Sequence, residues 1–300
     1  MIHSYPKVYQ LGHKAISGIL DGPVDVTEKV DGSQFSFGVF NGKLECRSHN
    51  KQIVLDAPEK MFARAIFTCY ELEKLLCPGW TYRGEYLNTP HHNALCYDRV
   101  PPKNIILFDI MTENVECYLS YNAMYEEANR LGLSVVPLLY SGVVASRSEL
   151  SKLLDTVSIL GGQKIEGVVI KNYSMLSLDD KIAMAKVVRE DFKEVNATNW
   201  KANNPGKQDI VEEIAARYAT PARWKKAIQH LREDGLIQDA PQDIGKLINE
   251  VKRDVLEEES EAIANMLFKE FWPQIARKLI AGLPEWYKGT LADYAFTDKE

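Results

Sequence analysis

The chain is short of the features that would take it out of the ordinary globular class. Only 5 of its 300 residues are cysteine, and they stand apart at Cys46, Cys69, Cys77, Cys96 and Cys117. Their number is odd and no Cys-x-x-Cys pair occurs. Neither a disulfide framework nor a zinc site is expected, and the thiols read as reduced ones in a cytoplasmic protein. No apolar run approaches the length of a membrane span, so no membrane partner is expected. The opening Met1-Ile2-His3-Ser4-Tyr5-Pro6-Lys7 does not read as a signal peptide. Internal repeats and low-complexity tracts are missing. No glycine-rich loop leads into Lys-Ser or Lys-Thr, which disfavours a P-loop kinase. Positive charge is not in excess either. A formal net charge of −6 argues against non-specific coating of nucleic acid and leaves room for a local basic groove.

What is present is a well-cored soluble composition, 45% hydrophobic and 26% charged, enough for one large domain or a large and a small one. Up to about Asn196 the pattern is mixed. Residues 35–40 and 43–47 flank Asn41-Gly42, a strong hairpin signal because both turn positions need positive φ. A helix is expected from Asp56-Ala57-Pro58-Glu59, which has capping-box form, through Phe62, Ile66, Cys69 and Leu76. Strands are expected at 81–87, 104–110, 115–119, 135–140, 165–172 and 182–188. Two helices come between them, one over 121–131 ending at Gly132 and one running from Ser146 to Gly161-Gly162. After Asn196 the strand signal disappears. Residues 199–206 look like a linker, and helices follow at 208–217, 221–233, 242–257 and 261–281, the last bent at Pro273. The expectation is an α+β fold: a domain over 1–198 followed by a small all-α domain over 199–300.

One stretch carries the chemistry. Val24-Asp25-Val26-Thr27-Glu28 alternates like a strand, and Lys29 stands at its end before the break at Asp31-Gly32. A lysine there is either a solvated turn charge or a nucleophile whose pKa its surroundings must lower. Four later stretches answer it. Tyr82-Arg83-Gly84-Glu85 and Ile105-Ile106-Leu107-Phe108-Asp109 place acids in strands. Glu166-Gly167-Val168-Val169-Ile170-Lys171 and Ala185-Lys186-Val187 place charges on apolar ones. Charge inside an apolar strand is costly unless paired, which favours function over a strand-edge role. His91-His92 and His49 suggest no metal site, because adjacent residues of an extended segment face opposite ways. They read as a surface loop.

In order and spacing these stretches resemble the covalent nucleotidyltransferase superfamily of ATP-dependent ligases and capping enzymes. Lys29-Val30-Asp31-Gly32 matches its nucleophile motif and Arg47-Ser48 its short arginine motif. Gly84-Glu85, Phe108-Asp109-Ile110, Glu166–Lys171 and Lys186 look like the later ones. The resemblance implies an antiparallel-sheet, ATP-grasp-like nucleotidyltransferase domain. DNA ligases and capping enzymes continue into a β-barrel, whereas this chain turns helical, similar to RNA ligases of the RNA ligase 2 type. One departure is Val188, where the family's Lys-x-Lys has a second lysine. Asp31 is the commoner residue in DNA ligases and keeps a DNA substrate open.

The resemblance implies ATP and Mg²⁺ (or Mn²⁺) as cofactors and a roster of site residues. Lys29 would attack the α-phosphorus, with Lys171 and Lys186 lowering its pKa and neutralising phosphoryl oxygens. Glu166 would orient the metal, Glu85 would hold the ribose and Phe108 would stack on adenine. Glu28, Asp31, Gly32 and Arg47 complete the nucleotide contacts. Partners would be RNA ends, in a nicked duplex or RNA/DNA hybrid, for a monomeric ligase joining 3′-OH to 5′-phosphate. Arg47 would hold a strand-end phosphate. Beyond the resemblance, the cluster of Arg223, Lys225 and Lys226, interleaved with Tyr218 and Trp224, reads either as a nucleic-acid contact or as a solvated helix face with Trp224 in the core. The alternatives are an ATP-dependent DNA ligase, an RNA-capping guanylyltransferase, or a non-catalytic module that binds nucleic-acid ends.

Overall fold

The computed structural model describes residues 2–112, 117–189 and 210–297. Through residue 189 the elements are β1 (Tyr9–Gln10), β2 (Val24–Lys29), β3 (Ser33–Phe40), β4 (Lys43–Ser48), α1 (Ala63–Leu72), β5 (Thr81–Tyr86), β6 (Ile105–Met111), α2 (Tyr121–Leu131), β7 (Ser134–Val135), β8 (Leu138–Gly142), α3 (Arg147–Leu153), β9 (Gly167–Leu176) and β10 (Ile182–Val188). The Asn41-Gly42 turn closes the β3–β4 hairpin with φ of 51° and 72°. Ser120 caps α2 through its side chain, and Gly132 ends the helix in the left-handed conformation.

Among the described residues ten strands form two sheets in the orders β1-β10-β9-β2-β8 and β4-β3-β5-β6-β7. Pairing is antiparallel except at β1 and β7, two-residue strands that lie parallel to β10 and β6. The chain crosses from the first sheet to the second at Val30-Asp31-Gly32, between β2 and β3. The outer face of each sheet is apolar. Val24, Val26, Ile170, Ala183 and Ala185 form one core with Ile16 and Leu150. Phe35, Phe37, Tyr82, Tyr86 and Leu107 form another under α1 and α2. A third cluster of Val30, Leu87, Leu95, Tyr97, Ile106, Val136 and Leu160 lies at the crossing.

Several boundaries differ from the sequence expectation. The Asp56 capping box is not used, and α1 begins at Ala63 after a short 3₁₀ turn. The stretch expected as one strand at 135–140 is split between the two sheets, because Pro137 has no N–H to continue a ladder. The helix begun near Ser146 ends at Leu153, not at Gly161-Gly162. The strand expected at 115–119 starts outside the described residues, as does the helix at 208–217.

The helical third comprises α4 (Ile210–Tyr218), α5 (Pro221–Glu233), α6 (Ile244–Leu279) and α7 (Leu283–Thr297). The helices expected at 242–257 and 261–281 are the single α6, which continues through Pro273. The expected domain boundary at 198/199 and the 199–206 linker lie outside the described residues. The chain divides into one unit of Met1–Lys193 with Lys225–Lys246 and a second of Glu194–Trp224 with Leu247–Glu300. The helical third is therefore not one domain: Lys225–Lys246 belongs with the sheets. Polar contacts explain why. Lys51 Nζ donates to the Asp234 carbonyl at 3.2 Å, and Gln229 Nε2 donates to the Gly32 carbonyl at 3.0 Å.

In the second unit the expected nucleic-acid cluster changes character. Arg223 is fully buried, ion-paired with Asp254 and, at 3.0 Å, with Glu259, its guanidinium beside the Tyr218 ring. Its charge is paired with those acids. Trp224, one step round the helix, is the exposed member.

Candidate active site

Strand register brings the site together. In the first sheet Thr27 lies opposite Val169, which lies opposite Lys186; Lys29 faces Gly167, and Asp25 faces Lys171. Directly opposed residues point to the same side, so Lys29, Lys171 and Lys186 share the face turned away from the apolar core. Val188, opposite Gly167, occupies that face where a second lysine was expected. In the second sheet Arg47 lies opposite Ser36, Ser36 opposite Arg83, and Arg83 opposite Asp109. Pairing then shifts so that Gly84 meets Leu107, which leaves Phe108 as the extra residue of a β-bulge. A bulge re-aims its side chain, and Phe108 is accordingly half-buried while its neighbours are fully buried.

Two motif glycines are set by close backbone approach. A Cβ on Gly32 would lie 2.9 Å from the Tyr86 carbonyl, and one on Gly167 would overlap the Val187 carbonyl. Both positions exclude a side chain, which keeps the Lys29 turn and Glu166 tight against neighbouring strands.

Lys29 Nζ donates to Glu166 Oε2 at 2.6 Å. Burial works to lower the Lys29 pKa, but the carboxylates of Glu166, Glu85 and Asp31 outweigh it and hold the ammonium above its ordinary range. Burial likewise raises the Glu166 and Glu85 carboxyls, against the pull of Lys29. The expected lowering of Lys29 by Lys171 is therefore not what the structure shows. Lys171 is 2% exposed, and its Nζ donates to the Phe108 carbonyl at 2.6 Å and Asp109 Oδ2 at 2.8 Å. Asp109 also accepts from Tyr5 Oη and, at 3.1 Å, from Tyr173 Oη. Lys186 stands near Glu166, where its charge favours the carboxylate.

Glu28, expected as a nucleotide contact, is bonded within the protein. It alternates with Lys29 and so points to the opposite face. Ser158 Oγ donates to its Oε1 at 2.5 Å and Ile159 N–H to its Oε2 at 3.0 Å. Asp31 is also turned inward: its Oδ2 accepts from the Ala94 and Leu95 amides at 2.8 and 2.7 Å. Arg47 Nη2 donates to the Asn50 carbonyl at 3.2 Å, while its Nε is buried without a hydrogen-bond partner.

Sequence reasoning missed the loop that clamps the Lys29 turn. Tyr97 Oη accepts from the Asp31 amide at 2.8 Å, and Asn93 Nδ2 donates to the Gly32 carbonyl at 2.8 Å. His92 is half-buried. Its Nδ1 accepts from the Asn88 amide at 3.1 Å, so Nε2 carries the proton toward Ser33 Oγ, 2.9 Å away. No motif marks these residues. Arg83, Tyr5 and Tyr173 were missed too, although Arg83 satisfied the same buried-charge rule that singled out Glu85.

Burial depresses the His92 pKa to about 4, against the opposing charge of Asp31 and helped by Arg232. Between the folded value of about 4 and the unfolded value of about 6.5 the unfolded chain binds the extra proton. Stability from this group is thus complete above about pH 6.5 and is lost as pH falls toward 4, by about 2–3 kcal/mol. Urea unfolding at pH 7 and pH 4.5 should show that loss in the unaltered chain and a smaller one in His92→Asn. Equal acid sensitivity in both would remove His92 as its source.

Among the described residues no group of three or more His, Cys, Asp or Glu is arranged to hold a metal ion.

The RNA ligase family model matches residues 22–188. The chain belongs to the RNA ligase family. That match contains Lys29, Arg47, Glu85, Phe108, Glu166, Lys171 and Lys186 and stops before the helical third. Among solved structures, similar ones include the Naegleria gruberi RNA ligase with PPi (19% identity, TM-score 0.49, covering 62% of this chain and 56% of that one). Two variants of the same enzyme, one with ATP and Mn and one with AMP and Mn, each match at 18% identity with TM-scores of 0.49 and 0.48. This chain spans 56% of the length of those proteins. No curated protein matches it.

Proposed function

We propose that the protein is an ATP-dependent RNA ligase that joins 3′-OH and 5′-phosphate ends through a lysyl-AMP intermediate. The observation that carries the reading is Lys29 Nζ, 2.6 Å from Glu166, at the end of β2 in a member of the RNA ligase family. Its amine attacks the α-phosphorus of ATP, an N–P bond forms, the bond to the β-phosphate oxygen breaks, and pyrophosphate leaves. An oxygen of a 5′-phosphate end then takes the AMP, breaking the N–P bond. In the last step a 3′-OH attacks that end, and AMP departs.

The site's residues divide this work. Lys29 must shed the proton that Glu166, Glu85 and Asp31 stabilise, and Glu166 is the group in hydrogen-bond reach of it. A magnesium or manganese ion, when bound, supplies the positive charge that lets the amine go neutral and that offsets charge on the phosphoryl oxygens. Lys186 offers a second cation on the same face, and Glu85 an acceptor for ribose hydroxyls. Arg47, with its unpartnered Nε, and Lys225 and Lys226 serve strand phosphates. The substrate is read as a nicked duplex or RNA/DNA hybrid, bound by a monomer. The free cysteines support a reducing, cytoplasmic setting. No helix among the described residues is long and apolar enough to cross a membrane.

Incubation with α-labelled ATP and Mg²⁺, then with nicked RNA, DNA and hybrid duplexes, tests the reading. Label on the protein that chases into sealed RNA is the expected result. Absence of label would leave a non-catalytic binding module, uptake without sealing would leave a nucleotidyltransferase that is not a ligase, and preference for nicked DNA or for GTP would move the chain within the superfamily.

Phe108 gives a graded test of the nucleotide pocket. The Tyr5 ring meets it edge-on with centroids 5.1 Å apart, and Lys171 Nζ lies 5.6 Å from its ring centre. Phe108→Ala should weaken ATP binding by about 1–3 kcal/mol, the range for lost base stacking, while Phe108→Tyr should bind normally. Calorimetric titration decides it; unchanged affinity in the alanine variant would return Phe108 to a packing role.

A further inference from the structure

Gln229 and Glu233 lie on α5, outside the RNA ligase family match, yet they end at the nucleophile turn. Gln229 Nε2 donates to the Gly32 carbonyl at 3.0 Å and to Glu233 Oε1 at 2.8 Å. Glu233 is 2% exposed and also accepts from Ser33, the residue after that glycine. Ser33 Oγ in turn accepts from His92 Nε2 at 2.9 Å. A continuous relay therefore runs from the Asn88 amide through His92 and Ser33 to Glu233 and Gln229. It closes on the Gly32 carbonyl, three residues from Lys29. A carboxylate and an amide at the buried end of a helix are costly unless their partners are in place, and here every partner is at or beside the turn.

We infer that Gln229 and Glu233 are positioning residues for the first chemical step: they fix the turn from the helical side so that Lys29 meets the α-phosphate in line. The inference rests on the ligase reading above and extends it, because it makes part of the helical third a participant in lysine adenylylation. Neither side chain touches the reacting atoms. Their effect passes through the Gly32 carbonyl and Ser33, so it falls on the geometry of attack and not on nucleotide affinity.

The test uses the full chain with Gln229→Ala, Gln229→Met, Glu233→Ala and Glu233→Gln. Four quantities are measured: the single-turnover rate of lysyl-AMP formation, the KM for ATP, the sealing of a strand adenylylated beforehand, and the thermal midpoint. The two alanine variants and Gln229→Met should form lysyl-AMP about 10–100-fold more slowly, the scale of a small misplacement of reacting groups. The KM for ATP should stay within about 2-fold, since the binding groups are intact. Sealing of the adenylylated strand bypasses Lys29 and should proceed at the normal rate. Glu233→Gln keeps an oxygen for Ser33 and Gln229 and should restore most of the lost rate.

Normal labelling by Gln229→Met, which retains the side chain's bulk, would overturn the inference even if an alanine variant failed to fold. A parallel fall of labelling and sealing with the folded fraction would overturn it as well, leaving only a packing role. Failure of the unaltered chain to label would instead remove the ligase reading beneath it.

Discussion

Lys29→Ala is expected to leave the protein unable to take up label from α-labelled ATP. Among the described residues the other lysines on this sheet face are Lys171, committed to Asp109, and Lys186, two strands away on β10. Lys29→Arg is expected to fail equally, because a guanidinium stays protonated and cannot attack phosphorus. Sealing of a strand adenylylated beforehand should survive both changes, since that step needs no lysyl intermediate. The labelled band on a denaturing gel decides the matter. Residual labelling by either variant above the level of a boiled control would mean that the AMP acceptor lies elsewhere.

The second large effect is expected at Lys171, and it is one of stability. Its Nζ and Asp109 form a 2.8 Å pair in which both side chains are almost fully buried, at 2% and 1% exposure. Tyr5 and Tyr173 hold their phenolic protons firmly, since burial and the Asp109 charge both raise their pKa, and each donates to that carboxylate. Removing the ammonium alone leaves a buried carboxylate that keeps its hydrogen bonds but has lost its ion pair. Lys171→Met is expected to cost about 3–5 kcal/mol, the range for breaking one partner of a buried pair. Adding Asp109→Asn should recover a large part of that loss, because the uncompensated charge goes with it. Urea midpoints for the two single variants and the double variant complete the cycle. A loss below about 1 kcal/mol in Lys171→Met would show that the pair is not what holds Lys171 there, and would return it to the phosphate role implied by family resemblance.

The contrast between Lys29 and Lys171 shows where the sequence is informative. Both are lysines on strands of one sheet, and the pairing register of β2 with β9 puts them on one face. Alternation explained Glu28: a residue adjacent to Lys29 on a strand must point the other way, and it anchors the turn at Ser158 and Ile159. The Asn41-Gly42 hairpin, the Gly132 helix end and the apolar strand behind Glu166 were legible for a related reason. Each depends on backbone preferences and side-chain period within a few residues.

Arg223 and Pro137 mark the limit of that reasoning. By composition Arg223 belongs to a basic cluster, but burial beside Asp254 and Glu259 converts it into the centre of an ion-pair network. Pro137 sits in a run of strand-forming residues, yet its missing N–H divides that run between two sheets.

The sequence by itself determined the order of the motifs and the family to which they belong. These follow from short-range period and turn chemistry. Only the tertiary structure decided that Asp109 captures Lys171, that three acids keep Lys29 protonated, and that His92, Gln229 and Glu233 converge on its turn. A buried charge must be neutralised by whatever partner the fold brings within about 3–4 Å, and residues 60 to 200 positions apart carry no local pattern that announces such a meeting.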